Sequence, residues 1–189
     1  MEDQGFDLLL VNGRIVTETG EIRGSLGVRD GIIAHLGPEP PGAEARERVD
    51  CEGKWILPGG VDAHVHVGIS FGDTETSEGW AECSRAALAG GTTTIVDFAI
   101  PKAGEDPIEA FRHRLADAAE HCVSDYSLHG CYTERHLDAI DRIGELIGLG
   151  TRTIKVYTTY KDKLMASDAT IERVMSALRE ADGMIHVHA

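Results

Sequence analysis

From residue 61 onward, strand-like segments alternate with segments whose apolar residues recur every three or four positions, and this regular alternation restricts the fold more than any other feature. The pattern predicts strands over 61–67, 92–100, 125–132, 151–158 and 184–188, with helices over 76–89, 107–122, 136–147 and 168–180 between them. The helical segments are amphipathic, as Ile108, Phe111, Leu115 and Ala118 illustrate with charges between them. Ser167-Asp168 and Pro107 stand where helix starts require them. When every strand is followed by a covering helix, the sheet is parallel and buried on both faces. The fold class is therefore α/β. The four β/α units and a fifth strand make the N-terminal part of a (β/α)8 TIM-like barrel, about four and a half units. A half barrel leaves an open apolar sheet edge, so the sequence is expected to be a fragment of a longer chain.

Residues 1–55 read differently, as the N-terminal portion of a small β-sandwich domain, with the barrel part assigned to 56–189. Phe6 to Val11 alternates like a strand and runs into Asn12-Gly13, a strong hairpin signal, after which Arg14 to Thr17 resumes it. Further short strands are expected around 25–28 and 31–36, joined through Arg29-Asp30-Gly31, and Pro58-Gly59-Gly60 marks the change of pattern. With 32 acidic against 18 basic residues the formal charge is −14, which argues against a nucleic-acid surface or a polybasic membrane contact. The N-terminus is acidic where a signal peptide would be basic, and no apolar run approaches the ~20 residues of a membrane span. A cytoplasmic location is the expectation. Cys51, Cys83, Cys122 and Cys131 show no metal or redox spacing and read as ordinary thiols.

Chemistry concentrates in Asp62-Ala63-His64-Val65-His66. Alternation along a strand turns Asp62, His64 and His66 to one side, so two imidazoles converge at the end of the first barrel strand. Neutral histidine is the commonest metal ligand, and reacting groups of α/β barrels gather at the C-terminal strand ends. Lys155 sits in the fourth strand among apolar neighbours. A lysine pointing into a barrel must lose its proton or find a counter-charge, and a neutral amine reacts with carbon dioxide to give a carbamate able to bridge two metal ions. His186 and His188 share a face of the fifth strand, and spacing alone does not choose between them.

Preceded by Pro58-Gly59-Gly60-Val61, the His-x-His element resembles the first barrel strand of the amidohydrolase superfamily. The segments Ala86 to Thr93, Val96 to Pro101, Asp125 to His129, Ile154-Lys155-Val156 and Tyr160-Lys161-Asp162 resemble those of dihydropyrimidinases and hydantoinases, over essentially the whole chain. The resemblance implies a hydrolase that opens a cyclic amide ring at its C–N bond with the bridging hydroxide of a dinuclear site. The two divalent ions, expected to be zinc, with manganese or cobalt also compatible, would be held by His64, His66, His188 and a carbon dioxide-derived carbamate on Lys155. It implies that His186 and His129 are structural or supporting, that Tyr160 stabilises the oxyanion and binds substrate, and that Phe71 lines the substrate pocket. Dihydroorotases carry an arginine where this chain has Gly68, so an uncharged ring, a dihydropyrimidine or a hydantoin, fits better than a substrate with a free carboxylate. Relatives supply an acid/base aspartate and a further histidine on later strands, past Ala189, so the fragment alone is expected to be inactive. The expected partners are a small cyclic amide and, in the full-length protein, further copies of itself, as a tetramer. The alternatives are an allantoinase-like or dihydroorotase-like enzyme, or a non-catalytic dihydropyrimidinase-like assembly protein.

Overall fold

Pro58-Gly59-Gly60 separates two units, Met1–Pro58 and Gly59–Ala189. The computed structural model describes residues 5–71, 74–76 and 78–189, with Ser70, Phe71 and Glu75 described by their backbone. No helix among the described residues is long and apolar enough to cross a membrane.

The first unit is a mixed sheet built around β1 (Phe6–Thr17), with β2 (Gly20–Arg29), β3 (Ile32–Gly37), β4 (Ala45–Asp50) and β5 (Trp55–Ile56). β2 and β3 follow as antiparallel hairpins, whereas β4 and β5 both pair with β1 in parallel. Leu9, Val11 and Ile15 of β1 are buried, as alternation along one face requires. This sheet is the part of a β-sandwich that the unit supplies. Asn12-Gly13 does not turn the chain. β1 continues straight through, the register slipping between Leu10 and Gly13, and the reversal comes at Glu18-Thr19 with Thr17 opposite Gly20. The left-handed backbone that makes Asn-Gly a hairpin signal serves here in a bulge, with Asn12 at φ 54° and its amide donating to the Asp50 carboxylate at 3.0 Å. Gly13 is required by close approach, since a Cβ there would lie 2.4 Å from Ile56 Cδ1. Asp30 and Gly31, both at positive φ, make the second reversal as expected.

The second unit carries β6 (Gly60–Asp62), β9 (Thr92–Ala99), β10 (Asp125–Cys131), β11 (Thr153–Tyr157) and β12 (Met184–His188) in one parallel sheet. Between β6 and the first helix lie the short paired strands β7 (Ser70–Phe71) and β8 (Thr74–Glu75). The helices are α1 (Trp80–Ala89), α2 (Pro107–His121), α3 (Ile143–Gly148) and α4 (Asp168–Glu180), with a 3₁₀ helix over Glu134–Arg142 leading into α3. Each strand lies beside its predecessor, from β6 to β12. A doubly wound sheet would reverse its order partway, so this consecutive order is that of the first five strands of a (β/α)8 barrel.

Local chemistry sets the boundaries. Asp106 caps α2 through Ile108 and Glu109, and Ser167 caps α4 through Thr170. The expected helix over 136–147 begins instead as a 3₁₀ turn, because Thr133 and His136 form a reciprocal cap and His136 leaves helical geometry at φ −117°. The expected first strand over 61–67 is shortened to three residues. Beyond Asp62, whose carboxylate accepts the His64 N–H at 3.1 Å, the chain leaves the regular ladder.

Ile95, Leu128, Ile154 and Val156 of the strands pack with Phe111, Leu146 and Val174 of the helices in one core. Its density is tested at Gly130 on β10. A Cβ there would lie 2.2 Å from Leu146 Cδ2 and 2.6 Å from Ile154 Cδ1. Gly130→Ala is therefore expected to destabilise the protein by about 1–3 kcal/mol through overpacking. Gly144→Ala, in α3 with open space around it, should be neutral or slightly stabilising. Chemical-denaturation midpoints of the two variants check this pair, and equal midpoints would contradict the packing described.

Candidate active site

Three polar side chains interrupt the apolar strands of the second unit, Asp97 on β9, His129 on β10 and Lys155 on β11, all less than a tenth exposed. The aromatic ring beside them is Phe98, itself 1% exposed. Because β9 lies between β6 and β10, this ring meets groups from both sides. The rings of His64, His66 and His129 have centroids 4.6, 5.0 and 4.7 Å from it, and Lys155 Nζ stands 5.4 Å from its centroid. His64 and His66 meet edge to face at 5.2 Å. His186 of β12 continues the cluster, its ring 4.7 Å from His129.

Burial governs the charge states. It holds the Lys155 ammonium below the ordinary lysine value. The neighbouring thiol offers no counter-charge, since burial pushes Cys131 up to about 12. Desolvation also lowers His66, with His64 adding repulsion, and lowers His129 and His186, the last pushed further by Lys155. Neutral imidazoles and a neutral amine are the protonation states that bind metal or attack carbon dioxide. The cation–π contact with Phe98 offsets only part of the cost of a buried ammonium, about 2 kcal/mol when desolvated.

The segment bearing His64 and His66 is fixed mainly from outside its own strand. Val65 N–H donates to Val96 carbonyl at 3.1 Å, and Val67 N–H donates to the fully buried Asp97 carboxylate at 3.4 Å. Arg114 of α2 completes the clamp, donating from Nε to Asp97 at 2.7 Å and from Nη2 to both Asp97 and the Val67 carbonyl. Its guanidinium lies 4.7 Å over the Trp80 ring, whose indole N–H donates to Asp117 at 3.0 Å. Burial raises the Asp97 carboxyl while Arg114 pulls against that shift. Sequence reasoning missed the clamp. Its signal was an acid inside an otherwise apolar strand, Thr94-Ile95-Val96-Asp97-Phe98, where only a paired carboxylate is tolerable. His129 spans the sheet in a comparable way, Nε2 meeting the Ala63 carbonyl at 2.9 Å and Nδ1 meeting Thr153 Oγ1.

The other sequence candidates lie further along the strand ends. His188 sits opposite Tyr157 in the β11–β12 register, just as His186 sits opposite Lys155. Its ring is 5.5 Å from that of Tyr157 and 5.3 Å from that of Tyr160. Tyr160 holds φ 61°, uncommon for a non-glycine residue, and its carbonyl accepts from Lys163, Leu164 and Met165, which fixes the turn. Phe71 is placed by its backbone in β7, opposite Thr74, and the lining role expected of its side chain lies outside the described residues.

The structure thus brings His64, His66 and Lys155 around one ring and sets His188 beside Tyr160, two residues beyond His186. Among the described residues no three His, Cys, Asp or Glu side chains form a metal-holding group. The donor set would fit a divalent metal if Lys155 supplied the missing acidic ligand as its carbamate, to which its burial, its ammonium held below the ordinary value and its place on the same ring as the two imidazoles are suited.

The sequence matches the Amidohydrolase family over residues 55–189. It is 35% identical to the D-hydantoinase of Geobacillus stearothermophilus over 184 residues, covering 96% of this chain and 38% of that protein. It is 34% identical to the dihydropyrimidinase of Rattus norvegicus, over 96% of this chain and 36% of the relative. Among solved structures, the dihydropyrimidinase of Brevibacillus agri superposes with a TM-score of 0.89 at 29% identity, covering 96% of this chain and 39% of that one. The chain thus spans well under half the length of the relatives it matches.

Two outcomes follow from the geometry. Asp97→Asn removes the charge from a buried pair and should cost on the order of 3 kcal/mol in urea unfolding followed by tryptophan fluorescence, and a change under ~0.5 kcal/mol would refute the clamp. Because His66, His129 and His186 have folded values below 6.5, the unfolded chain binds more protons just below that pH. Stability in the presence of chelator should therefore fall as the pH drops through 6.5, and level off below the folded values. Equal or greater stability at about pH 5.5 than at about pH 7.5 would contradict these shifts.

Proposed function

We propose, for a chain that belongs to the amidohydrolase family, that it carries the metal-binding half of an enzyme hydrolysing the C–N bond of an uncharged cyclic amide, a dihydropyrimidine or hydantoin ring. The observation that carries this reading is the meeting of His64, His66 and Lys155 around Phe98, with no carboxylate among the described residues to neutralise the lysine. Hydantoinase and dihydropyrimidinase relatives over nearly the whole chain point to the same class.

In this reading His64, His66, His188 and Lys155 as its carbamate would hold two divalent ions between them. When bound, ions of this kind, zinc by donor type, would supply a water that ionises near neutral pH and would polarise the ring carbonyl. The chain's own residues do the rest. Burial lowers the cost of deprotonating Lys155, and the neutral amine's lone pair would attack carbon dioxide with an N–H proton leaving to solvent. The Asp97–Arg114 clamp on Val67 holds the His66 backbone in place. The Tyr160 hydroxyl donates a hydrogen bond to the oxygen on which charge develops as the ring carbonyl is attacked. Its backbone, locked by three N–H donors, sets where that hydroxyl stands without loop reorganisation. Proton delivery to the leaving ring nitrogen is assigned to an aspartate of the longer parent protein, so residues 1–189 alone are not expected to turn over, and a cytoplasmic homo-oligomer is the proposed parent.

Hydrolysis of dihydrouracil and of hydantoin by the parent protein, with and without chelator, tests the assignment. Activity is expected with at least one ring, lost on chelation and restored by a divalent ion. Lys155→Met should abolish both the activity and the carbamate resonance seen by NMR with isotopically labelled bicarbonate. Tyr160→Phe should lower kcat about 10²–10³-fold with metal content unchanged. If neither ring opens while two ions are bound, the substrate class is wrong. If no ion binds at all, the enzyme reading gives way to an assembly protein of the same fold.

A further inference from the structure

A second polar concentration lies on the loops that follow β9, β10 and β11. There the side chains of Lys102, Arg135, His136 and Lys163 line a half-open cavity of about 140 Å³, walled on its apolar side by Pro101 and Leu164. Its volume is several times the about 30 Å³ share of one water, enough for a small polyatomic ion. The chain as a whole carries a formal charge of −14, so a gathering of three cations is against its average. Among the described residues none of Lys102, Arg135 and Lys163 is ion-paired. No acid among the described residues lines the cavity, although the charge of Asp106, which pairs with Arg142, acts on His136. Glu134 accepts from Ser167 and Thr170, and Glu105 accepts from the Lys102 backbone N–H and meets His113.

His136 is the informative member. It is 7% exposed, and its Nδ1 accepts the Thr133 backbone N–H at 3.3 Å. A ring whose Nδ1 accepts carries its proton on Nε2. That Nε2 is buried and has no hydrogen-bond partner among the described residues. With Nδ1 accepting, the orphan is an N–H donor, and burial holds the imidazole below its ordinary value. A buried donor left unmatched costs about 1–3 kcal/mol unless something accepts from it. Cations on three loops and an orphaned donor call for the same partner, an acceptor-rich anion.

We propose that this cavity is a binding subsite for a small oxyanion, a carboxylate or phosphate group, held by Lys102, Arg135, Lys163 and the Nε2–H of His136. Arg135 already donates to the Asp162 carbonyl, which ties its loop to the loop of Lys163 and leaves other guanidinium N–H groups for the anion. The site stands apart from the hydrolase reading, so failure of ring opening would leave it intact. Two sources share this chemistry: the acid released when a cyclic amide opens, and a separate phosphorylated compound.

Calorimetric titration of the intact, chelator-treated protein with inorganic phosphate and with N-carbamoyl-β-alanine, at an ionic strength fixed by chloride, tests the site. Saturable binding of at least one probe is expected. Lys102→Ala and Lys163→Ala, both on exposed loop positions, should each weaken it about threefold or more, and the double variant about tenfold. His136→Phe should weaken it as well, with circular dichroism confirming the fold, while Lys161→Ala, on the same loop but outside the cavity, should leave it unchanged. Tighter binding of the carbamoyl acid identifies the reaction product as the source, and tighter binding of phosphate identifies a separate ligand. Absence of saturable binding by both probes, or equal affinity in the double variant, would overturn the proposal.

Discussion

A parallel sheet covered on both faces leaves almost no place for a charged group, and the second unit is organised around the few it admits. Asp97, His129 and Lys155 lie in strands whose other fully buried residues are apolar or uncharged, and each polar group needs an answer that water does not provide. Asp97 is answered by Arg114, and His129 by Ala63 and Thr153. Lys155 is answered only in part, by an aromatic face, and burial holds its ammonium below the ordinary lysine value. The first two resolutions rigidify the sheet, and the third leaves a destabilised ammonium at the ring on which two imidazoles also rest. Stability and chemistry thus come from one constraint, satisfied in different ways on neighbouring strands.

How much of this could be read from the sequence depended on how local the deciding forces are. The β/α alternation, the start of α4 at Ser167-Asp168 and Pro107 at the head of α2 rest on residues close in sequence, and they were legible. So was the convergence of His64 and His66, though for an incomplete reason. Strict alternation predicted it on a strand, whereas the histidines lie just past the regular ladder and share a side because both rest on Phe98. Asn12-Gly13 shows the opposite case. The dipeptide does supply a left-handed residue, but whether that makes a turn or a bulge depends on Asp50 and Ile56, some 40 residues away. Arg114 was illegible for the same reason, since nothing on α2 announces a partner on β9.

The pair His186 and His188 shows what register adds to alternation. Both face one side of β12, and the sequence could not separate them. Pairing with β11 gives them different neighbours, Lys155 for the first and Tyr157 for the second. A resemblance selects His188 as ligand, and the structure gives His186 a place of its own, against His129 and under the influence of Lys155.

The segment from Ala63 to Val67 carries the chemistry but owns little of its anchorage. Of its backbone N–H groups, those of His64 and Val67 reach carboxylates and that of Val65 reaches a carbonyl of β9. Its local protection should therefore report the contacts with Asp62, Asp97 and the Val96 carbonyl together with the burial of Val67. The seating of the two histidines is thus set by β9 and α2 rather than by a ladder of their own.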